Sequence, residues 1–306
     1  MNARVVPELV ITRVESDADI VAMVEVAARS ELRLPPPRPE NLRHQLYAKP
    51  NLTYLIARLG GEPAGRAFVE ANDAGAEHAD ARVDVASDAR RRGIGSALLK
   101  EVSRRAAAYG KTELRGETWE DDTGSRGFFE RRGYRVVGGE RAVVLDLRTH
   151  DPEPVGLPPG VRVVARKPEH VEGMYEVARH AGEDIPGSEA PSFEAFRAQD
   201  VNRPSLRPEL CFVALAGDDV IGYAILNDFG REAHHGLTAV RRDWRRRGVA
   251  TALKRTQIAR AKQLGFDRLV TESEEQNDPM RKLNVKLGYL PEPSLSTVVL
   301  LGPLLP

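Results

Sequence analysis

The sequence holds a single cysteine, Cys211, so no disulfide can form within the chain. That cysteine sits in the apolar run CFVAL, the setting of a buried, inert thiol rather than a nucleophile. Charge of one sign is also missing: 45 Lys and Arg balance 45 Asp and Glu. Without a net sign there is no long-range field to draw the protein to nucleic acid or to an anionic membrane. Aromatic residues make up 6% of the chain, and its arginine clusters lack the interleaved stacking platforms that single-stranded nucleic acid requires. No apolar run reaches the length of a membrane-spanning helix. The opening stretch MNARVVPELVITRVESD has no apolar block of a secretory leader. These absences lead us to expect a cytoplasmic protein with no membrane partner, no nucleic-acid partner and no metal site.

What the chain does have is a repetition. RRRGIGSALLK begins at Arg90, and RRRGVATALK begins at Arg245, an offset of 155 residues. The same offset relates Gly93 to Gly248, Gly110 to Gly265, and Gly133–Tyr134 to Gly288–Tyr289. Leu98/Leu253, Ala106/Ala261, Leu114/Leu269 and Glu117/Glu272 keep the register. A chain of 306 residues is long enough for two domains, and this spacing implies that one domain was duplicated. The division falls at 1–150 and 161–306, joined by a linker at 151–160. The prolines and glycines of THDPEPVGLPPGV oppose both helix and central strand there.

Each half predicts the same order of elements. In the first, ELVITRV reads as a strand, followed by a helix from Asp17 and a short helix after PPPRP. LTYLIARL and PAGRAFVEA form a hairpin, and ARVDVA is a further strand. Ile94, Ala97, Leu98, Val102, Ala106 and Tyr109 share one helical face, and Gly110 suits a left-handed helix stop. TELRGE, a short helix in GSRGFFERRG and ERAVVLDL close the unit. The second half runs from VRVVA through a helix near 168–181, LCFVALAGDDVIGYAIL and HHGLTAV to the helix VATALKRTQIARAKQLG. DRLVTES, the helix DPMRKLNVKLG and SLSTVVLL end it. Alternating strands and helices with early hairpins imply a mixed α/β sheet covered by helices in each domain.

The arginine–glycine turn stands between a strand and a helix. The first N–H groups of a helix have no intrahelical acceptor, and an anion placed there gains hydrogen bonds and the helix dipole. Arginines at that end do nothing for the helix, since they carry the sign of its exposed donors. Beside a bound pyrophosphate they become favourable. Neither copy is a P-loop, because no GK[ST] follows, and the position after several strands does not fit a dinucleotide-binding fold.

At these residues the sequence resembles the GNAT superfamily of acyl-CoA-dependent N-acyltransferases, in tandem form. The family's coenzyme turn, Arg or Gln, two residues, Gly, one residue, then Gly or Ala, matches Arg90, Gly93 and Gly95. It matches again at Arg245, Gly248 and Ala250. NDPMRKLNVKLGY, with Asn277, Met280 and Asn284, follows the spacing of the family's later helix. The resemblance implies mixed, mostly antiparallel sheets with helices on both faces and a parallel strand pair that splays to admit acetyl-CoA. It implies coenzyme contacts from Ala239, Val240, Arg245, Arg246, Arg247, Gly248, Val249, Ala250, Thr251 and Asn277. The first-half counterparts are Val85, Arg90, Arg92, Gly93, Gly95 and Ser96. An N–H at Ala239 or Val240 would polarise the thioester carbonyl. Asn277 has Asp122 as its counterpart, which cannot donate an amide hydrogen bond. That difference favours the C-terminal domain as the catalytic unit.

Many relatives place a tyrosine acid four residues before the late glycine. Here Phe129 and Asn284 stand at that position. Phenylalanine transfers no proton, and asparagine can only orient a water or bond the sulfur. Candidate bases are Glu272 and one of His234 and His235, since strand alternation turns only one of the pair to the cleft; His235 is taken. The segment after the first helix of the second domain carries Glu183, Asp184 and Glu189, which could attract a cationic amine or form a solvated face. The expected activity is direct acetyl transfer from acetyl-CoA to a primary amine of a small metabolite or antibiotic-like molecule, by a monomer or homodimer. A protein N-acetyltransferase and a non-catalytic CoA-binding regulator are the alternatives.

Overall fold

The computed structural model describes residues 7–30, 33–71, 75–182, 192–275 and 277–306. The chain runs through β1 (Leu9–Arg13), α1 (Asp17–Arg29), α2 (Pro39–Ala48), β2 (Leu52–Leu59), β3 (Glu62–Glu70) and β4 (His78–Val85). It continues with α3 (Ile94–Ala108), β5 (Glu113–Trp119), α4 (Thr123–Glu130) and β6 (Arg135–Asp146). Then come β7 (Val161–Ala165), α5 (Val171–Gly182), α6 (Phe193–Phe196), β8 (Phe212–Ala216), β9 (Asp219–Asp228) and β10 (Glu232–Val240). The last elements are α7 (Val249–Gln263), β11 (Arg268–Glu274), α8 (Asp278–Lys286), β12 (Leu290–Pro291) and β13 (Thr297–Pro303). Among the described residues no helix is long and apolar enough to cross a membrane, and no group of acidic, histidine or cysteine side chains could hold a metal.

Two compact units form, one of Met1–Gly138 with Val298–Pro306 and one of Gly139–Thr297. In unit 1 the strands β1 to β4 pair antiparallel in sequence order. β5 joins β4 in parallel, and β13 lies beside β5. Adjacent residues of β2 point to opposite faces, as strand geometry demands. Leu55 enters a core with Leu98, Leu99 and Val102 of α3, and Ile56 enters another with Met23 and Val26 of α1. Helices therefore cover both faces.

Unit 2 repeats the plan. β7, β8, β9 and β10 pair antiparallel, β11 joins β10 in parallel, and β6 runs antiparallel to β11 from Glu140 to Asp146. α5 packs on one face through Met174 and Val177, against Val213 and Tyr223. α7 packs on the other through Leu253 and Ile258. Both units thus have the mixed, mostly antiparallel sheet that the resemblance implied.

The closing strands differ from the sequence reading. ERAVVLDL was expected to complete the first domain and SLSTVVLL the second. Instead the chain from Gly139 belongs to unit 2, and Val298–Pro306 belongs to unit 1. Alternation along a strand specifies which face is buried but does not name the partner strand. Packing shows how each place is fixed. A Cβ on Gly302 would collide with the Tyr134 ring, so β13 passes close over that tyrosine. Leu145 and Leu147 pack with Tyr289 in the core of unit 2.

The Pro/Gly-rich stretch forms no helix or strand between Leu147 and Gly160 and is tied to α7 within unit 2. Lys262 Nζ donates to the His150 carbonyl, and Arg255 Nη1 donates to the Pro154 carbonyl at 3.3 Å. Arg255 also forms an ion pair with Glu153.

Candidate active site

In unit 2 the parallel pairing of β10 and β11 covers Glu232↔Arg268, Ala233↔Leu269 and His234↔Val270, and stops there. Both strands continue, to Val240 and Glu274, without pairing to each other. A wedge therefore opens from His235 onward. There β10 also carries a register shift against β9, between His235 and Thr238, a bulge of the kind that adds local twist and redirects a strand. In unit 1 the β4–β5 pairing likewise stops at Asp80↔Arg115.

Past the bulge, β10 keeps its partner β9. Arg241 N–H donates to the Ile221 carbonyl at 2.9 Å. Alternation in an antiparallel ladder then turns Ala239 N–H to β9 and Val240 N–H to the wedge. Of the two amides considered from sequence, Val240 therefore faces the opening. Its carbonyl is capped by Arg245 Nε at 3.0 Å. Ala86 N–H donates to Ala64 O in the same way, which gives Val85 the equivalent placement in unit 1.

At the end of β10 the arginine–glycine turn takes an unusual backbone. Gly248 has φ 87° and Gly93 has φ 82°, the left-handed conformation that glycine adopts without steric cost. Arg246 (φ 60°) and Arg91 (φ 63°) are the non-glycine residues with positive φ among the described residues. Such a conformation costs on the order of 1–3 kcal/mol and persists where the surroundings impose it. Left-handed residues at a turn aim successive N–H groups into one concavity, a shape that binds anions. Neither following helix has a side-chain cap at its start. The first intrahelical bonds are Ala97 N–H to Gly93 O and Ala252 N–H to Gly248 O. The amides of Ile94, Gly95 and Ser96, and of Val249, Ala250 and Thr251, precede them and have no intrahelical acceptor. Arg247 stacks over Trp244 at 5.1 Å, and Arg90 Nη2 donates to Ser30 O at 3.1 Å. Arg92 is exposed beside Gly93. In unit 1 Arg132 Nη2 donates to Ser96 Oγ at 2.9 Å, bringing a further cation to that helix start.

Asn277 and Asp122 prove to be equivalent helix caps. Asn277 Oδ1 accepts from Met280 N–H at 3.3 Å, and Asp122 Oδ1 accepts from Ser125 N–H at 2.9 Å. Burial works against the Asp122 carboxylate, but the Ser125 hydrogen bonds and the Arg90 charge outweigh it and hold its pKa low. The aspartate thus has a local structural duty and a nearby counter-charge.

The catalytic candidates do not gather at one point. Ala233 and His235 face α7 and α8, as does Leu269 on β11, whereas Glu272 is exposed on the opposite face of its strand. His235 and Asn284 both lie on the α7/α8 side, His235 against Tyr289 and Asn284 against Lys254, whose ammonium faces the Tyr289 ring. His235 is buried, with Nε2 2.6 Å from Tyr289 Oη. Burial, then the Lys254 charge, push its pKa well down, while the Gln257 amide works the other way. The imidazole is therefore neutral. His234, on the other face, is lowered by burial against the opposing pull of Glu232. Tyr223 is fully buried, edge-on to Phe196, and belongs to the core. Glu183, Asp184 and Glu189 lie outside the described residues. A cavity of about 440 Å³ opens between α5 and the segment Arg241–Asp243, and touches neither the helix start at Gly248 nor His235.

Two residues were missed from sequence: Lys254 and Gln257 of α7, both buried. Lys254 Nζ donates to Asn284 Oδ1 at 3.1 Å and lies 5.7 Å from the centre of the Tyr289 ring. Gln257 Nε2 donates to Leu210 O at 3.1 Å. Asn284 Nδ2, Gln257 Oε1 and His235 Nδ1 are buried with no hydrogen-bond partner. The offset of 155 already carried a signal, because Leu99 and Val102 occupy these two positions in the first repeat.

A family model described as "Acetyltransferase (GNAT) family" matches residues 20–134 and again 174–289. No curated protein matches the chain significantly. Among solved structures, a tandem GNAT protein from the clavulanic acid biosynthesis pathway is 21% identical, with a TM-score of 0.79 over 98% of this chain and 99% of that one. A GCN5-related N-acetyltransferase from Sphaerobacter thermophilus is 18% identical, with a TM-score of 0.73 over 97% and 96%. At these identities the likeness is one of fold.

Proposed function

Because the chain belongs to the acetyltransferase (GNAT) family, we propose that unit 2 transfers an acetyl group from acetyl-CoA to a primary amine of a small molecule. The observation that carries this reading is the uncapped helix start at Gly248, reached through a left-handed Arg246 and set at the mouth of the β10–β11 wedge. The pyrophosphate would take the amides of Val249, Ala250 and Thr251, with Arg246 and Arg247 beside it. The pantetheine arm would follow β10 inward, Val240 N–H would polarise the thioester carbonyl, and Asn277 would offer its amide nitrogen from the start of α8.

The acceptor amine would approach from the face on which Glu272 is exposed, with that carboxylate taking its proton directly or through a water. His235, buried on the other side, is not placed for this task. Transfer would be direct within a ternary complex. Cys211 is buried beneath α5, and burial pushes its thiol up to about 11, which disfavours a covalent relay. Unit 1 carries the same turn, reinforced by Arg132, so it is proposed to bind the coenzyme. Its Leu99 and Phe129 supply no proton-transfer group, which favours binding without chemistry there.

Calorimetry with acetyl-CoA tests the reading. Gly248→Glu, in a chain checked for folding, is expected to abolish the unit 2 site, and Gly93→Glu the unit 1 site. Unchanged affinity in Gly248→Glu rejects the assignment. Mass spectrometry after incubation with acetyl-CoA and a panel of amines then separates an enzyme from a binding protein, since occupancy without acetylated product favours the latter.

A further inference from the structure

The departure of coenzyme A from a tetrahedral adduct leaves charge on sulfur, and a nearby acid lowers that barrier. Neither repeat has an acidic side chain at the residue four before the late glycine, where Phe129 and Asn284 stand. In unit 2 the space around Asn284 is nevertheless not inert. Resting on the reading of unit 2 as the transferase, we propose that Lys254 is the acid that protonates the departing coenzyme A sulfur, positioned by Asn284.

The argument begins with an unusual burial. Lys254 and Asn284 are each 1% exposed, and a buried ammonium normally requires a carboxylate. Lys254 has only the Asn284 oxygen; its other N–H bonds meet no acceptor among the described residues. The amide nitrogen of Asn284 is buried and unpartnered as well. Donors without acceptors are costly in a protein interior, and both sit where an electron-rich group would satisfy them.

The location is the apex of the wedge. His235 is the first residue past the last β10–β11 rung and contacts Tyr289, whose ring Lys254 faces. The titratable groups around Lys254 are His235 from β10 and Tyr289 from the segment after α8, with Gln257 and Asn284 as neutral neighbours. His235 is held neutral by burial and the Lys254 charge, and burial raises the Tyr289 phenol far above neutrality. Burial alone brings Lys254 down to about 7. It is the group of this cluster able to hold and release a proton near neutral pH.

A purely structural role is answered by unit 1. There α3 packs with Leu99 and Val102 in place of Lys254 and Gln257, and Phe129 replaces Asn284. The helix needs no lysine to pack.

The step balances as follows. The amine nitrogen bonds to the thioester carbon, and its surplus proton leaves to water or to Glu272. As the adduct collapses, the C–S bond breaks with its electron pair going to sulfur, and an Nζ–H proton passes from Lys254 to that sulfur. Coenzyme A leaves as the thiol, and neutral Lys254 regains a proton from water.

One test needs no acceptor. Ultraviolet absorbance of the thiolate is followed for coenzyme A bound to the wild-type chain and to Lys254→Met. The thiolate fraction at neutral pH is expected to be about tenfold larger in the wild type, because an adjacent ammonium favours the thiolate. Equal fractions with intact binding overturn the assignment. Failure of the wild type to bind coenzyme A overturns the transferase reading itself. With the best amine of a panel (an amino sugar, a diamine, an amino acid and a lysine peptide), Lys254→Met is expected to lower kcat by about 10²–10⁴ with acetyl-CoA affinity retained. Lys254→Arg keeps the charge on a group too basic to release its proton, so full turnover in that variant also overturns proton donation. Melting of each variant checks that it folds.

Discussion

α3 and α7 are the same helix written twice, and they differ where it matters. Both span 15 residues, both start at a left-handed glycine, and both bury a leucine, Leu98 or Leu253, against the sheet. On α3 the next buried positions are Leu99 and Val102, each contributing roughly 1.5–3 kcal/mol by leaving water. On α7 the same positions hold Lys254, whose ammonium has the Asn284 oxygen as its hydrogen-bond acceptor, and Gln257, whose side-chain oxygen has no partner. One copy fills these positions with apolar side chains, and the other holds polar groups beside the apex of its wedge. On the function proposed for unit 2, the duplicated fold marks its working half by what it fails to optimise.

That contrast can be broken from either side. The largest effect should come from putting the charge where it has no partner. Leu99→Lys buries an unpaired ammonium in unit 1 and is expected to cost about 3–5 kcal/mol, by the precedent of buried charges stripped of their partners; denaturant melts would read it. The reverse exchange, Lys254→Leu with Asn284→Phe, copies unit 1 into unit 2. It should stabilise the protein by roughly 1–4 kcal/mol while removing turnover. A double variant that loses stability would show that these polar groups are structural.

The next effect is a pH dependence confined to α7. The unfolded chain holds the Lys254 proton up to 10.5, whereas the folded chain releases it at about 7. Between those values the unfolded state binds more protons, so stability rises with pH. His235 adds to the same slope lower down, since its depressed folded pKa means that stability falls as pH drops through 6.5. Hydrogen exchange followed separately in α7 and α3 should show protection growing with pH only in α7. A common slope would remove the contrast. The smallest expected change is Gly248→Ala, where a side chain at φ 87° costs about 1 kcal/mol without closing the site. A neutral result in melting would deny that this turn holds the left-handed conformation.

Much of the architecture could be read before the structure. The shared offset exposed two units, and the helical spacing marked Ile94, Leu98, Val102 and Ala106 on the buried face of α3. Of the same set Ala97 is half-buried and Tyr109 at the helix end is exposed, and the buried Leu99 and Ser103 were not read. The turn at Gly93 and Gly248 was legible because glycine beside an uncapped helix start has few other uses. The backbone of Arg91 and Arg246 was not, since arginine has no preference for positive φ that a sequence could betray. Strand membership at the ends of the two repeats was hidden for a different reason. Val298–Leu300 and Val143–Leu145 are interchangeable as apolar strands, and only tertiary packing assigns them. His235 and Glu272 looked like neighbours on adjacent strands, yet the side-chain period of two put them on opposite faces. Lys254 was overlooked because a lysine in a helix is usually solvated, and only comparison with Leu99 would have raised the question.

The placement of Val298–Pro306 in unit 1 has a bearing on biosynthesis. Leu300 is part of the core that surrounds Leu98 and Tyr134. A ribosome finishes α3 long before it makes that leucine, so the earlier half of the protein must wait, unsealed, while the later half is translated. A chain arrested at residue 297 should therefore expose α3 to protease, and adding Val298–Pro306 as a peptide should restore resistance.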